Sequence, residues 1–206
     1  MTDAATRAVF LAATDHFATL VRQIPADRWD APGLGEWTVR DLVGHTSRSL
    51  VTVSTYLKTP ARHQDVADAA DYYVQIRDYS ASAGAAAIVE RGRQAGRDLG
   101  ADPAAAIEVL ASRVRADLAV VDDPLIQVIG GLGIRLSSYL PTRTFELAVH
   151  GLDIGRAVGL AVEPPDEVLT EATLLAVRIG VALGHASTML VALTGRGGLP
   201  PGFSVV

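Results

Sequence analysis

The chain contains no cysteine. That absence removes disulfides, cysteine-ligated zinc and a cysteine nucleophile together. A metal site here has to be built from histidine and carboxylate, and thiol chemistry has to use a thiol carried in by a small molecule. Lysine is almost as scarce, with Lys58 alone, and the arginines are spread rather than blocked. With a formal net charge of -5, the surface offers neither a basic stripe for nucleic-acid phosphates nor a polybasic patch for a membrane. No run of about 18 apolar residues appears. Met1-Thr2-Asp3 lacks the charged and apolar regions of a secretory signal, so a cytoplasmic protein is expected.

Aromatic residues make up only 5% of the 206 residues, whereas hydrophobic residues in total reach 49% and charged residues 20%. The apolar content is largely alanine, which loses no side-chain entropy on entering a helix. A mainly α protein with one well-filled core follows. Phe10, Ala13, Phe17, Leu20, Val21 and Ile24 form one stripe of a helix over 3–24, which Pro25 stops. Thr38 and Asp41 fit a capping box opening a second helix that runs to Pro60, with Trp37 and Leu42 placed as a hydrophobic staple. Helices are expected around 65–78 and 82–99, interrupted near Ser80. Asp102-Pro103 opens another helix, ended by Asp122-Asp123-Pro124. Residues 125–137 suggest a short hairpin or extended loop. Pro141 then opens a helix to about Val158, with Gly159 as its stop. Pro164-Pro165-Asp166 opens one more. Thr188–Leu193 and Phe203–Val206 read as two short strands. The expected organisation is a helical bundle over 1–160 and an extension over 161–206 packed on it, made of one helix and two short strands.

In Arg143-Thr-Phe-Glu146-Leu-Ala-Val-His150, a glutamate and a histidine lie four apart. That spacing sets both side chains on one helix face, within reach of a common ion. Such pairs are also common on solvated faces, where they add a few tenths of a kcal/mol. Phe145, Leu147, Ala148, Val149 and Leu152 make this helix apolar over most of its circumference. A glutamate on a buried helix needs a partner, which a metal supplies. His45, beside the stripe of the second helix, is the candidate third ligand, although a core histidine bonded to a backbone carbonyl is an equal reading. Three protein ligands leave a coordination position open.

Trp37-Thr-Val-Arg-Asp-Leu-Val-Gly-His45, preceded by Trp29 and Pro32, resembles the first metal motif of the mycothiol-dependent maleylpyruvate isomerase N-terminal domain family. Arg143 through Asp153 is similar to its second motif. The resemblance covers roughly residues 5–160 and implies a DinB/YfiT-like four-helix bundle. It also implies that His45, Glu146 and His150 are the three metal ligands. The implied ion is zinc, with nickel, manganese or iron compatible with these ligand types. Asp153, three residues after His150, is a candidate to orient that histidine. Asp41, four before His45, is better explained as a cap. Arg143 either binds a substrate carboxylate or pairs with Glu146. His16, His63 and His185 have no partner spacing and read as structural or surface residues.

By the same resemblance, the metal lowers the pKa of a low-molecular-weight thiol, mycothiol, for attack on a small electrophile. The archetypal isomerase carries a second α/β domain that residues 161–206 do not replace, so the expectation is a thiol transferase or isomerase-like enzyme on another electrophile, or a metal-dependent hydrolase. A non-catalytic metal- or ligand-binding module is the rival. An exposed strand over 188–193 would pair with a second copy and give a homodimer.

Overall fold

The computed structural model describes residues 3–206, including every side chain except those of 78–83 and 85. Four long helices form a closed ring of contacts: α1 (Asp3–Arg22), α2 (Val39–Tyr56), α5 (Pro103–Ala119) and α6 (Leu136–Val158). Within it, α1 and α2 each pack on both α5 and α6. This is the four-helix bundle that the resemblance implies. Its centre is filled by Phe10, Phe17, Leu42, Leu50, Ile107 and Leu140, all fully buried. Outside the ring, α4 (Ala85–Asp98) lies along α2, and α3 (Ala69–Ala83) packs against α6 and α7 (Asp166–Ala182). Helix α7 also packs on α6 and α1, and α8 (Ala186–Leu193) rests on α7. Among the described residues, no helix is long and apolar enough to cross a membrane.

Local capping chemistry sets several boundaries as the sequence predicts. Thr38 accepts from the Asp41 backbone N–H (3.2 Å), while Asp41 accepts from that of Thr38 (3.1 Å), a complete capping box. Asp102 caps α5 ahead of Pro103, and Gly159, at φ 75°, ends α6 in the left-handed conformation.

Three expectations are corrected. The break between α3 and α4 falls at Gly84 (φ 78°), and Ser80 is helical. Helix α6 begins at Leu136, so Pro141 lies inside it rather than opening it. Its start is held by Asp123, which accepts from the Ser137 backbone N–H (2.8 Å) and hydroxyl (2.9 Å); no neighbouring residue announces the cap. Finally, 188–193 is helical and 203–206 forms no strand. The two-stranded antiparallel sheet is instead β1 (Leu125–Gln127) with β2 (Gly133–Arg135), within the expected hairpin region. A lone edge strand at 188–193 would leave its backbone unpaired, whereas a helix satisfies it internally. Edge-to-edge pairing of a second copy therefore has no strand to use there.

Candidate metal centre

Helices α2 and α6 bring His45, Glu146 and His150 together, with one ligand atom of each within 4.8 Å of the others. Glu146 and His150 stack one turn apart on α6, with His150 Nε2 3.3 Å from Glu146 Oε2. The His45 ring meets that of His150 edge-on, centroids 5.0 Å apart. His45 Nδ1 is buried and has no hydrogen-bond partner among the described residues. A tetrahedral ion with bonds of about 2.1 Å sets its ligands about 3.4 Å apart, a small contraction of this cluster. The orphaned nitrogen and the mixed imidazole–carboxylate donors fit a divalent cation.

Each donor is braced. Trp37 stacks on the His45 ring with centroids 4.5 Å apart, and its Nε1–H donates to the Val89 carbonyl on α4 (3.0 Å). Tyr73 of α3 donates its hydroxyl proton to Glu146 Oε1 (2.7 Å). Asp153 Oδ2 lies 3.3 Å from His150 Nδ1, the carboxylate–histidine arrangement that orients metal-binding imidazoles. Asp41 is spent on its cap.

These neighbours also set the charges. Burial alone would raise Glu146, but hydrogen bonds from His150 and Tyr73 and the Arg143 charge hold it down at about 2. Burial would lower His150, yet Asp153 and Glu146 lift it to about 9. Burial, reinforced by the His150 charge, pushes His45 down to about 4. The metal-free cluster at neutral pH is therefore neutral His45, anionic Glu146 and cationic His150.

Two cavities meet at His45 and Glu146. The larger, about 490 Å³, is also lined by Tyr73, Arg77, His185 and Ser204–Val206. The smaller, about 160 Å³, is lined by Arg48, Thr52, Tyr56, Tyr72, Tyr139 and Arg143. The Arg143 side chain is partly buried, 12% exposed. Its guanidinium carbon lies 5.0 Å from the Tyr139 ring centroid and 5.8 Å from that of Tyr72. Its Nε–H donates to Thr142 Oγ1 (3.0 Å), and Glu146 Oε1 stands 4.0 Å from Nη2. Its terminal amino groups make no hydrogen bond among the described residues. A depression of about 560 Å³ between α1, α3 and α7 shares none of these residues.

His63 is exposed beside Asp65, and His16 is half-buried on α1, outside the cluster. His185 departs from expectation, since it faces the larger cavity. Sequence reasoning also missed Tyr73, Tyr72, Tyr139 and Arg48. The available signal was composition: an aromatic-poor chain with five tyrosines places Tyr56, Tyr72, Tyr73 and Tyr139 around one arginine and one glutamate.

A helical bundle with a three-residue His/Glu/His cluster and an open side defines the class. Residues 10–155 match the family described as the mycothiol maleylpyruvate isomerase N-terminal domain. The chain belongs to that family. It matches no curated protein and no solved structure.

Proposed function

We propose that the protein is a divalent-metal-dependent, thiol-using transferase or isomerase-like enzyme acting on a small electrophile, with His45, Glu146 and His150 holding the ion. The observation that carries this reading is a three-donor cluster two of whose members, His45 and Glu146, line both cavities, because a purely structural ion would be closed off by a fourth protein ligand. Zinc suits the two imidazoles and one carboxylate best. Held by these three residues, zinc would supply Lewis acidity that lowers the pKa of a thiol, whose proton would pass to solvent. Mycothiol, the thiol in the family's description, is the proposed cosubstrate.

The chain's own residues supply the rest. Asp153 fixes the His150 ring through Nδ1, and Tyr73 holds the Glu146 carboxylate. Arg143 offers two unspent amino groups to the smaller cavity, with Arg48 beside it, so an electrophile carrying a carboxylate would be anchored there. The tyrosine rings exclude water and strengthen that contact.

Metal analysis of the purified protein, His45→Ala and Glu146→Ala is the first test. About one ion per wild-type chain is expected, and loss in both variants; undiminished metal in both would sink the site. A conjugation screen with mycothiol and model electrophiles follows. Arg143→Lys is expected to raise KM for carboxylate-bearing electrophiles roughly tenfold or more, since lysine cannot replace a bidentate fork, while leaving neutral ones unaffected. Turnover without thiol would instead identify a hydrolase.

A further inference from the structure

Ser204, Val205 and Val206 form one side of the larger cavity, across from Tyr73 and Glu146. This wall is attached unlike any other part of the site. From 197 to 206, among the described residues, the backbone makes no hydrogen bond to the helices. Phe203 N–H donates to the Pro200 carbonyl (3.0 Å), and the Ser204 hydroxyl bonds only to Val206. Two side chains hold the segment down. The Phe203 ring meets His185 edge-on with centroids 5.4 Å apart. Val205 packs against the core over Gly180, where an added Cβ would lie 3.1 Å from the valine methyl. Ahead of Phe203, Gly195 (φ 69°) and Gly202 (φ 72°) adopt a backbone conformation that suits glycine. Between them, Pro200-Pro201 forms a stiff arm. A stiff arm between two glycine pivots, anchored by two apolar side chains, belongs to the least stable class of local structure.

We propose that residues 203–206 are a displaceable wall of the cavity that holds His45 and Glu146. The wall swings on Gly195 and Gly202, with Phe203 against His185 as its latch and Val205 as its seat. Closed, it puts two valine side chains against the cavity and narrows its approach. Open, it widens the approach to molecules larger than the cavity itself. The proposal holds whichever reaction the site performs, because it concerns access and not chemistry.

The lack of native cysteine makes the test direct. Val205→Cys introduces a single thiol, as does the reference variant Ala172→Cys on the buried face of α7. Both are labelled with an aromatic disulfide reagent under native conditions, with circular dichroism and melting curves confirming the fold. Val205→Cys is expected to label roughly a hundredfold faster than Ala172→Cys, at a rate insensitive to low urea, because local opening exposes little surface. Adding Phe203→Ala is expected to speed its labelling about tenfold and leave Ala172→Cys unchanged. Equal rates for the two thiols, or no response to Phe203→Ala, would overturn the proposal. Should Val205→Cys fail to fold, Phe203→Ala read by hydrogen exchange of the 203–206 amides replaces it; exchange as slow as in α7, or unchanged by the substitution, has the same overturning force.

Discussion

The His150 Nε2 nitrogen faces the Glu146 carboxylate at 3.3 Å, within the candidate cluster. Asp153 on Nδ1 and Glu146 against Nε2 keep that imidazole charged up to about pH 9, while His45 stays neutral down to about pH 4. A cation binding at neutral pH thus meets two ligands already deprotonated and one that must give up its proton. Metal binding at pH 7 is expected to release about one proton, measured by calorimetry in two buffers of different ionisation enthalpy; no release would remove His150 from the ligand set. The same groups shape the stability of the metal-free protein. His150 is raised above its unfolded value, so its contribution is complete below pH 6.5 and is lost as pH climbs through 9. His45 is lowered, so the unfolded chain takes up a proton first as pH falls from 6.5 through 4, and stability drops there as well. Denaturant titrations of the metal-free protein should place the maximum near pH 6.5. His45→Ala should flatten the acid side alone, and an unchanged acid side in that variant would contradict the assignment.

Helix α2 reaches its place through glycine. A Cβ on Gly44 would lie 2.2 Å from the Gly96 backbone nitrogen of α4, and one on Gly92 would lie 2.6 Å from the Trp37 indole. Glycines 92 and 96, which weaken the sequence case for a helix, are what lets α4 lie against α2 and press Trp37 onto His45. Gly44→Ala is expected to destabilise the protein by about 3 kcal/mol, at the upper end of overpacking, and to weaken metal binding through the adjacent His45. A denaturation midpoint unchanged from wild type would show that the helices can part without cost. This contact was invisible to periodicity, since it depends on which two helices cross. What sequence did reveal at this scale was local: the Thr38–Asp41 box, the Asp102 cap and the Gly159 stop each need only residues within one turn. The true start of α6 was hidden because its cap, Asp123, lies fourteen residues before Ser137. The helix over 186–193 was hidden because a short apolar run carries no period that separates helix from strand.

Across the whole molecule, the candidate ligands come from two motifs about a hundred residues apart, which the bundle sets side by side on α2 and α6. The pairing of Glu146 with His150 was legible from four-residue spacing, and His45 joined them through its place beside the stripe of a capped helix and through the family resemblance. The tyrosine-lined cavity and the wall at 203–206 were not legible, because α3, α7 and the tail reach the site from outside the ring of four helices. Since α2 and α6 are also joined by buried apolar side chains, an ion would add stability to that packing by mass action. At a free concentration a thousand times its dissociation constant it adds about 4 kcal/mol. In a chain of this size each kcal/mol moves Tm by about 2–4 °C, so zinc should raise Tm by roughly 8–16 °C, reversibly with chelator. His45→Ala is the cleaner control. Its Nδ1 has no hydrogen-bond partner among the described residues, so the variant loses ring contacts alone, whereas Glu146→Gln also disturbs Arg143, Tyr73 and His150. The zinc-dependent rise should vanish in His45→Ala, while its metal-free Tm falls only by the lost ring packing. A rise of equal size in that variant would move the ion away from this cluster altogether.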